Sequence, residues 1–233
     1  MSEKKLFSNS EYPEEKTLPK ARVFVVSTDG IELEEALSAY ADFISPARMK
    51  KITRLAHLSD KKLSLCAELA LCFALKSFSL PFSPPQYFYN LLGKPQLTYE
   101  KLSINISHSG SLAVCAASEL PIGVDVLEND AHSAGRAYRK IVSSADTPPA
   151  TIRELLALWT KKESYVKLIG SGLRTPMTSF SVTDDRVTSK IGCAPAHITF
   201  TEIKDYFISL ASYEKISAEY FFFGANDLPK LCE

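Results

Sequence analysis

Hydrophobic and polar residues recur along this chain with two different periods, and each period predicts an element. In PIGVDV, Ile122, Val124 and Val126 alternate with Gly123, Asp125 and Leu127, so a strand here turns its aspartate away from its apolar face. From Thr151 to Lys167 the apolar residues Ile152, Leu155, Leu156, Trp159 and Val166 follow the helical period and mark a buried stripe. Glu163 falls on that stripe. A carboxylate there has to be paired, hydrogen-bonded, protonated or bound to a cation, because burying its bare charge is costly. Lys167 stands one helical turn further on.

The same reading places the remaining elements. Ala21 to Ser27 is a strand, and Ile31 to Phe43 and Pro46 to Ala56 are helices. Asp60 is positioned to cap a long helix that runs through LCAELALCFALKSF to Phe78, where Pro81, Pro84 and Pro85 stop it. Strands follow near Gln86 to Asn90, Ser103 to Ser107 and Leu112 to Ala117. A short helix near Ala134 to Val142 precedes the Trp159 helix, and strands near Ser179 to Thr183, Arg186 to Ile191, His197 to Ile203 and Tyr206 to Ser212 come after it. Tyr220 to Phe223 is an aromatic run, read as a buried strand or a segment packed across the domain, with a docking patch as the sharper alternative. The pattern is α+β, with a long helix and several antiparallel strands in each half. The divisions are a polar, mobile segment at 1–20, an N-terminal half at 21–118 and a C-terminal half at 119–233.

Composition narrows the setting. A chain of 233 residues with 45% hydrophobic content buries a sizeable core. Its five cysteines lack the spacing of a disulfide framework or a metal site, which points to a reducing compartment. No apolar run is long enough to span a membrane, and the first twenty residues lack the apolar core of a secretion signal. A cytoplasmic location is the expectation. The net charge is zero, yet Arg48, Lys50, Lys51, Arg54, Lys61 and Lys62 crowd the stretch from Ser45 to Lys62 against the single acid Asp60.

Taken alone, Glu163 and Lys167 at i,i+4 are a common helix-surface pair worth about 0.3 to 0.5 kcal/mol, and Asp125 is a strand-end turn residue. Their co-occurrence with a basic helix, a GKP and an SHSG in one chain favours chemistry instead. One acid from a strand, one acid and one lysine from a helix suit magnesium-assisted work on a pyrophosphate. His108, set between Ser107 and Ser109 and followed by Gly110, is placed to donate to phosphate rather than to act as a base.

These blocks, in this order, carry a resemblance. The chain resembles the 4'-phosphopantetheinyl transferases of the surfactin-synthetase-activating (Sfp) type in Asn105 to Gly110 (NISHSG), Gly123 to Leu127 (GVDVL) and Trp159 to Lys167 (WTKKESYVK). The likeness extends to FISPARMKK at Phe43 to Lys51, GKP at Gly93 to Pro95, GSGL at Gly170 to Leu173 and SFSV at Ser179 to Val182. It implies two similar packed halves related by a pseudo-twofold axis with the ligand cleft between them. It implies transfer of the phosphopantetheine arm of coenzyme A to a serine of an acyl or peptidyl carrier protein, with release of adenosine 3',5'-bisphosphate. Neither nucleic acid nor membrane is implied as a partner, and a chain with two fused halves needs no dimer to complete its cleft.

By the same resemblance, Asp125 and Glu163 hold a magnesium ion, Glu163 or a water it orients takes the serine proton, and Lys167 stabilises the leaving phosphate. Arg48, Lys51 and Ser64 contact the 3'-phosphate region, Gly93, Lys94 and Pro95 line the adenine site, and Ser107 with His108 reaches the phosphates. Lys162 is open between phosphate support and structural support. Two departures stand out. Leu127 occupies the position where the family commonly has a second acid, with Glu128 turned to the opposite face by alternation, and Leu63 occupies a position that often carries arginine. The rival readings are a coenzyme A-binding protein without turnover and a magnesium-dependent phosphohydrolase.

Overall fold

The computed structural model describes residues 18–91, 93–98, 102–130, 138–189 and 194–233. Its strands form two sheets. Lys20–Ser27 (β1), Ser103–Ser109 (β4), Leu112–Ser118 (β5) and Ser217–Phe223 (β11) make the first, in the order β11-β1-β5-β4. Ile122–Glu128 (β6), Phe180–Thr183 (β7), Arg186–Ser189 (β8), Ala196–Ile203 (β9) and Tyr206–Ser212 (β10) make the second, in the order β6-β10-β9-β8-β7. A small hairpin of Tyr87–Tyr89 (β2) and Pro95–Leu97 (β3) stands apart. The pairing is antiparallel except between β1 and β11, which run parallel from Lys20 beside Ser217 to Val26 beside Phe223. The aromatic run is thus a strand, and it lies in the sheet of the N-terminal strands.

Alternation within the strands stacks the sheets and helices into four layers. Val23 and Val25 of β1 and Val114 and Ala116 of β5 pack against Ile122, Val124 and Val126 of β6 and Ile208 and Leu210 of β10, a dry seam between the two sheets. The residues between them, Phe24, Val26, Cys115 and Ala117, face Leu58–Ser77 (α3) on the outside of the first sheet. This helix is apolar nearly all round because its flanks are also covered, by Leu33–Ala39 (α1) and Pro46–Arg54 (α2). On the outside of the second sheet, Phe207 and Ala211 face Ile152–Ile169, numbered α5 after the short helix Tyr138–Ile141 (α4).

Local chemistry fixes the ends of α5. The Thr151 side chain accepts from Glu154 N–H at 3.1 Å, which satisfies one orphan donor of the first turn, while Glu154 reaches back to accept from Ala150 N–H, just ahead of the helix, at 2.7 Å. Gly170 closes the helix in the left-handed conformation at φ 68°.

Several boundaries differ from the sequence reading. The helix expected over Ile31 to Phe43 ends at Ala39, and a separate 3₁₀ turn at Ala41–Phe43 follows. The long helix begins at Leu58 with His57 in the cap position, so Asp60 sits inside its first turn, where a negative charge still favours the positive end of the helix. Ile152 is half exposed rather than part of the buried stripe, and it is the first residue of α5. The segments 1–17, 131–137 and 190–193 lie outside the described residues, and with them most of the expected N-terminal segment, the start of the expected helix at 134, and Cys193.

Candidate active site between the sheets

Gly123 is the residue that makes the site possible. A side chain there would begin 2.1 Å from Ser164 O and 2.4 Å from Leu168 N, so only glycine lets α5 lie directly on β6. Two residues on, the same strand face presents Asp125, and α5 answers with Lys167, whose ammonium donates to Asp125 Oδ1 at 2.6 Å and to Ser107 Oγ at 2.7 Å. Lys167 therefore crosses to the sheet; no ion pair between Lys167 and Glu163 is made. Glu163, one turn back, accepts from Trp159 Nε1 at 3.4 Å. Burial raises the pKa of Glu163, and the neighbouring Asp125 charge raises it further, against the pull of Lys167.

The first sheet reaches this point through β4. Its alternate side chains, Ser103, Asn105, Ser107 and Ser109, accept from the backbone N–H groups of Ile122, Val124, Val126 and Glu128 at 3.2, 2.8, 3.3 and 3.0 Å. Edge strand β6 thus has these amides satisfied by side chains of the other sheet instead of by a backbone ladder. Ser107 Oγ does more than its neighbours, since it also donates to Asp125 Oδ1 at 2.9 Å while receiving Lys167.

Two connected hollows open over this junction. The larger, of about 630 Å³, is bordered by Gly93, Lys94 and Pro95 and by apolar residues including Ile141, Val166 and Met177. The smaller, of about 440 Å³, is bordered by Ser107, His108, Asp125 and Leu127. Ile106, Trp159, Glu163 and Lys167 border both. Lys94 ties the β2–β3 hairpin to the second sheet and α5, donating to Ile122 O at 3.3 Å and to Leu168 O at 3.2 Å, and burial lowers its pKa to about 8. His108 keeps an exposed edge. Partial burial lowers its pKa, and the charges of Lys51, Lys167 and Arg48 lower it further. A histidine facing three cations marks a place suited to an anion.

The sequence-selected residues thus divide into groups. Asp125, Glu163, Lys167, Gly93, Lys94, Pro95, Ser107 and His108 share the hollows. Arg48 and Ser64 border neither. They belong to a buried network centred on Glu68, which receives Arg48 Nε at 2.9 Å, Ser45 Oγ at 2.5 Å, Ser45 N–H at 3.1 Å and Tyr87 Oη at 2.9 Å, while Arg48 Nη1 donates to Ser64 Oγ at 3.4 Å. Lys51 stands beside them, its pKa lowered by partial burial and by the Arg48 charge. Lys162 is resolved as structural. It is fully buried, and its ammonium donates to Asp146 at 2.5 Å and to the carbonyls of Ile141, Met177 and Phe180.

Leu127 lies on the Asp125 face and borders the smaller hollow, while Glu128 points the other way, taking a hydrogen bond from Tyr206 Oη at 3.2 Å. Leu63 is buried in the flank of α3. Among the described residues no three acids, histidines or cysteines cluster as a metal site. The two acids that do face one hollow are hard oxygen donors, and the Asp125 charge already raises the Glu163 pKa. A dication relieves that like-charge crowding, so the residues fit an ion that takes one or two protein carboxylates and finds its other ligands in phosphate and water. Sequence reasoning missed Glu68 and Asn105. A lone acid inside LCAELALC and an asparagine among alternating serines were the available signals.

Residues 121–211, which contain β6 and α5, match the 4'-phosphopantetheinyl transferase superfamily. The chain is 28% identical over 169 residues to 4'-phosphopantetheinyl transferase Sfp of Bacillus subtilis (strain 168), a match covering 69% of this chain and 75% of that protein. It is 28% identical over 155 residues to 4'-phosphopantetheinyl transferase gsp of Aneurinibacillus migulanus, covering 64% of this chain and 65% of that protein. It is 27% identical over 201 residues to 4'-phosphopantetheinyl transferase ffp of Bacillus subtilis, covering 79% and 86%.

Proposed function

We propose, from its place among the Sfp-type 4'-phosphopantetheinyl transferases, that the protein transfers the 4'-phosphopantetheine arm of coenzyme A to a serine hydroxyl of an acyl or peptidyl carrier protein. The products are the phosphopantetheinylated carrier and adenosine 3',5'-bisphosphate. The observation that supports this best is the convergence of Asp125, Glu163 and Lys167 on one hollow that also reaches Gly93 to Pro95 and His108.

In this reading the serine oxygen bonds to the phosphorus that carries the pantetheine, and the bond from that phosphorus to the bridging oxygen breaks. Glu163, or a water it orients, receives the serine proton. Lys167, aimed by Asp125 and Ser107, holds positive charge where the leaving phosphate gains negative charge. His108 and Lys51 supply further donors and charge for the phosphates, and Gly93, Lys94 and Pro95 border the adenine. The 3'-phosphate region is assigned to Arg48, Lys51 and Ser64, of which Arg48 and Ser64 are buried in the Glu68 network. Asp125 and Glu163 would hold a magnesium ion, which when bound neutralises charge on the pyrophosphate.

The fold reading that goes with this function is two halves, 21–118 and 119–233, related by a pseudo-twofold axis with coenzyme A between them. We take the protein as a cytoplasmic monomer, since one chain supplies both sides of the hollow. Among the described residues no helix is long and apolar enough to cross a membrane. The test is incubation of the purified chain with magnesium, coenzyme A and apo carrier proteins of the fatty-acid, polyketide and peptide types. Gain of one phosphopantetheine on a carrier, seen by intact mass, is the expected result. Carriers left unchanged throughout would favour a coenzyme A-binding protein, and free phosphopantetheine released without any carrier would favour a phosphohydrolase.

A further inference from the structure

Asn105 has hydrogen-bonding capacity that the fold does not use. It is 3% exposed in the middle of β4, and its side-chain Oδ1 accepts from Val124 N–H at 2.8 Å. A backbone N–H only donates, so the atom facing it must be the amide oxygen, and the two hydrogens on Nδ2 point elsewhere. Nδ2 donates to no described residue. Nor is it sealed in the core: among the described residues, the fully covered side-chain polar atoms without partners are Ser171 Oγ and Tyr220 Oη. The open space that Asn105 borders is the larger hollow.

We infer that Asn105 is a substrate-binding residue whose Nδ2 donates to an amide carbonyl oxygen of the pantetheine arm while its Oδ1 holds β6. The assignment rests on the coenzyme A reading given above. Location selects the acceptor. Ser107, His108 and Asp125 border the smaller hollow, where Lys167 and His108 suit phosphate oxygens. Asn105 borders the larger hollow and not the smaller one, and that larger hollow is lined in part by the apolar Ile141, Val166 and Met177, where a neutral acceptor loses less on leaving water than a charged one does. A ligand that filled this hollow without offering an acceptor would leave a buried donor unpaired, so the contact discriminates for an arm carrying a carbonyl at that point. One side chain then couples the occupied arm to the strand that presents Asp125.

Substitution separates the two halves of the amide. Asn105→Asp keeps an acceptor for Val124 N–H and removes the donors, whereas Asn105→Ala removes both. Calorimetry should show the Asp variant binding coenzyme A about tenfold more weakly, the scale of one well-placed hydrogen bond. Adenosine 3',5'-bisphosphate, which lacks the arm, should bind it as it binds the wild type. Equal coenzyme A affinity in the variant overturns the assignment, and so does equal weakening toward both ligands, which would be a charge effect on the phosphates. The unaltered protein gives a reading independent of any variant. The Asn105 side-chain NH₂ resonances should move when coenzyme A is added and stay when adenosine 3',5'-bisphosphate is added; resonances that ignore coenzyme A overturn the contact. Wild-type protein that binds neither ligand would overturn the transferase reading itself, and this assignment with it.

Discussion

Lys162 and Lys167 sit five residues apart on α5, and each meets an aspartate, yet the two pairs have different neighbours. The Lys162–Asp146 pair is 0% exposed on both sides, and every donor and acceptor around it is protein: three carbonyls receive the ammonium, and Asp146 also takes Ser143 N–H and Val182 N–H. The Lys167–Asp125 pair is 28% and 10% exposed and borders open space. Both are short ion pairs. The difference lies in what remains to be satisfied. A sealed pair whose partners are all internal holds the fold together, while a pair that leaves lone pairs facing a hollow has interactions left for a ligand.

The comparison breaks or sharpens under substitution, beginning with the largest effect. Lys162→Ala strips the counter-charge from buried Asp146 and should destabilise the fold by about 3 to 5 kcal/mol, measured by denaturant unfolding. Lys167→Met should cost less in the same measurement, because Asp125 keeps its hydrogen bond from Ser107 and borders the open hollow. It should nonetheless lower kcat by about 100-fold to 1,000-fold through loss of charge at the leaving phosphate. Equal destabilisation by both substitutions would erase the distinction.

Glu163→Gln should lower transfer by about 100-fold to 10,000-fold with the fold intact. It also carries a stability signature. The folded pKa of Glu163 is raised, by burial first and by Asp125 second. The unfolded chain gives up this proton at lower pH, so between the two pKa values rising pH weakens the fold, and the cost persists at neutral pH. The Gln variant should therefore melt above the wild type at pH 7, with the gap closing below about pH 4.

The smallest effect belongs to Lys94. Burial lowers its pKa to about 8, so between there and the unfolded value near 10.4 the unfolded chain binds the extra proton and the folded protein gains stability as pH rises. Lys94→Met should lack that gain. Parallel stability curves for the two proteins from pH 8 to 10.5 would show that burial does not depress Lys94 in the folded protein.

The strands were legible because alternation survives wherever one face packs and the other does not; Tyr206–Ser212 agrees residue for residue. The acids of the site were legible for a related reason, since Asp125 interrupts the apolar run of a strand and Glu163 an apolar stripe of a helix. Pairing of β11 with β1 was not. Their contact joins opposite ends of the chain, and EYFFF lacks the alternation that would reveal which face is buried. The division between Lys162 and Glu163 was also hidden, because neighbours on a helix point about 100° apart and sequence does not say which direction meets a sealed aspartate. Arg48 carried no sign of Glu68, which lies twenty residues away on another helix.

The joint between the sheets has one further consequence. A backbone ladder slipped by two residues can re-form its bonds, but the joint made by Ser103, Asn105, Ser107 and Ser109 has one long tooth among three short ones. Any slide of β4 along β6 would set asparagine where serine fits and take the Ser107 hydroxyl away from Asp125. The two sheets are keyed to a single alignment, and proofreading of the reactive geometry is built into assembly before any substrate arrives.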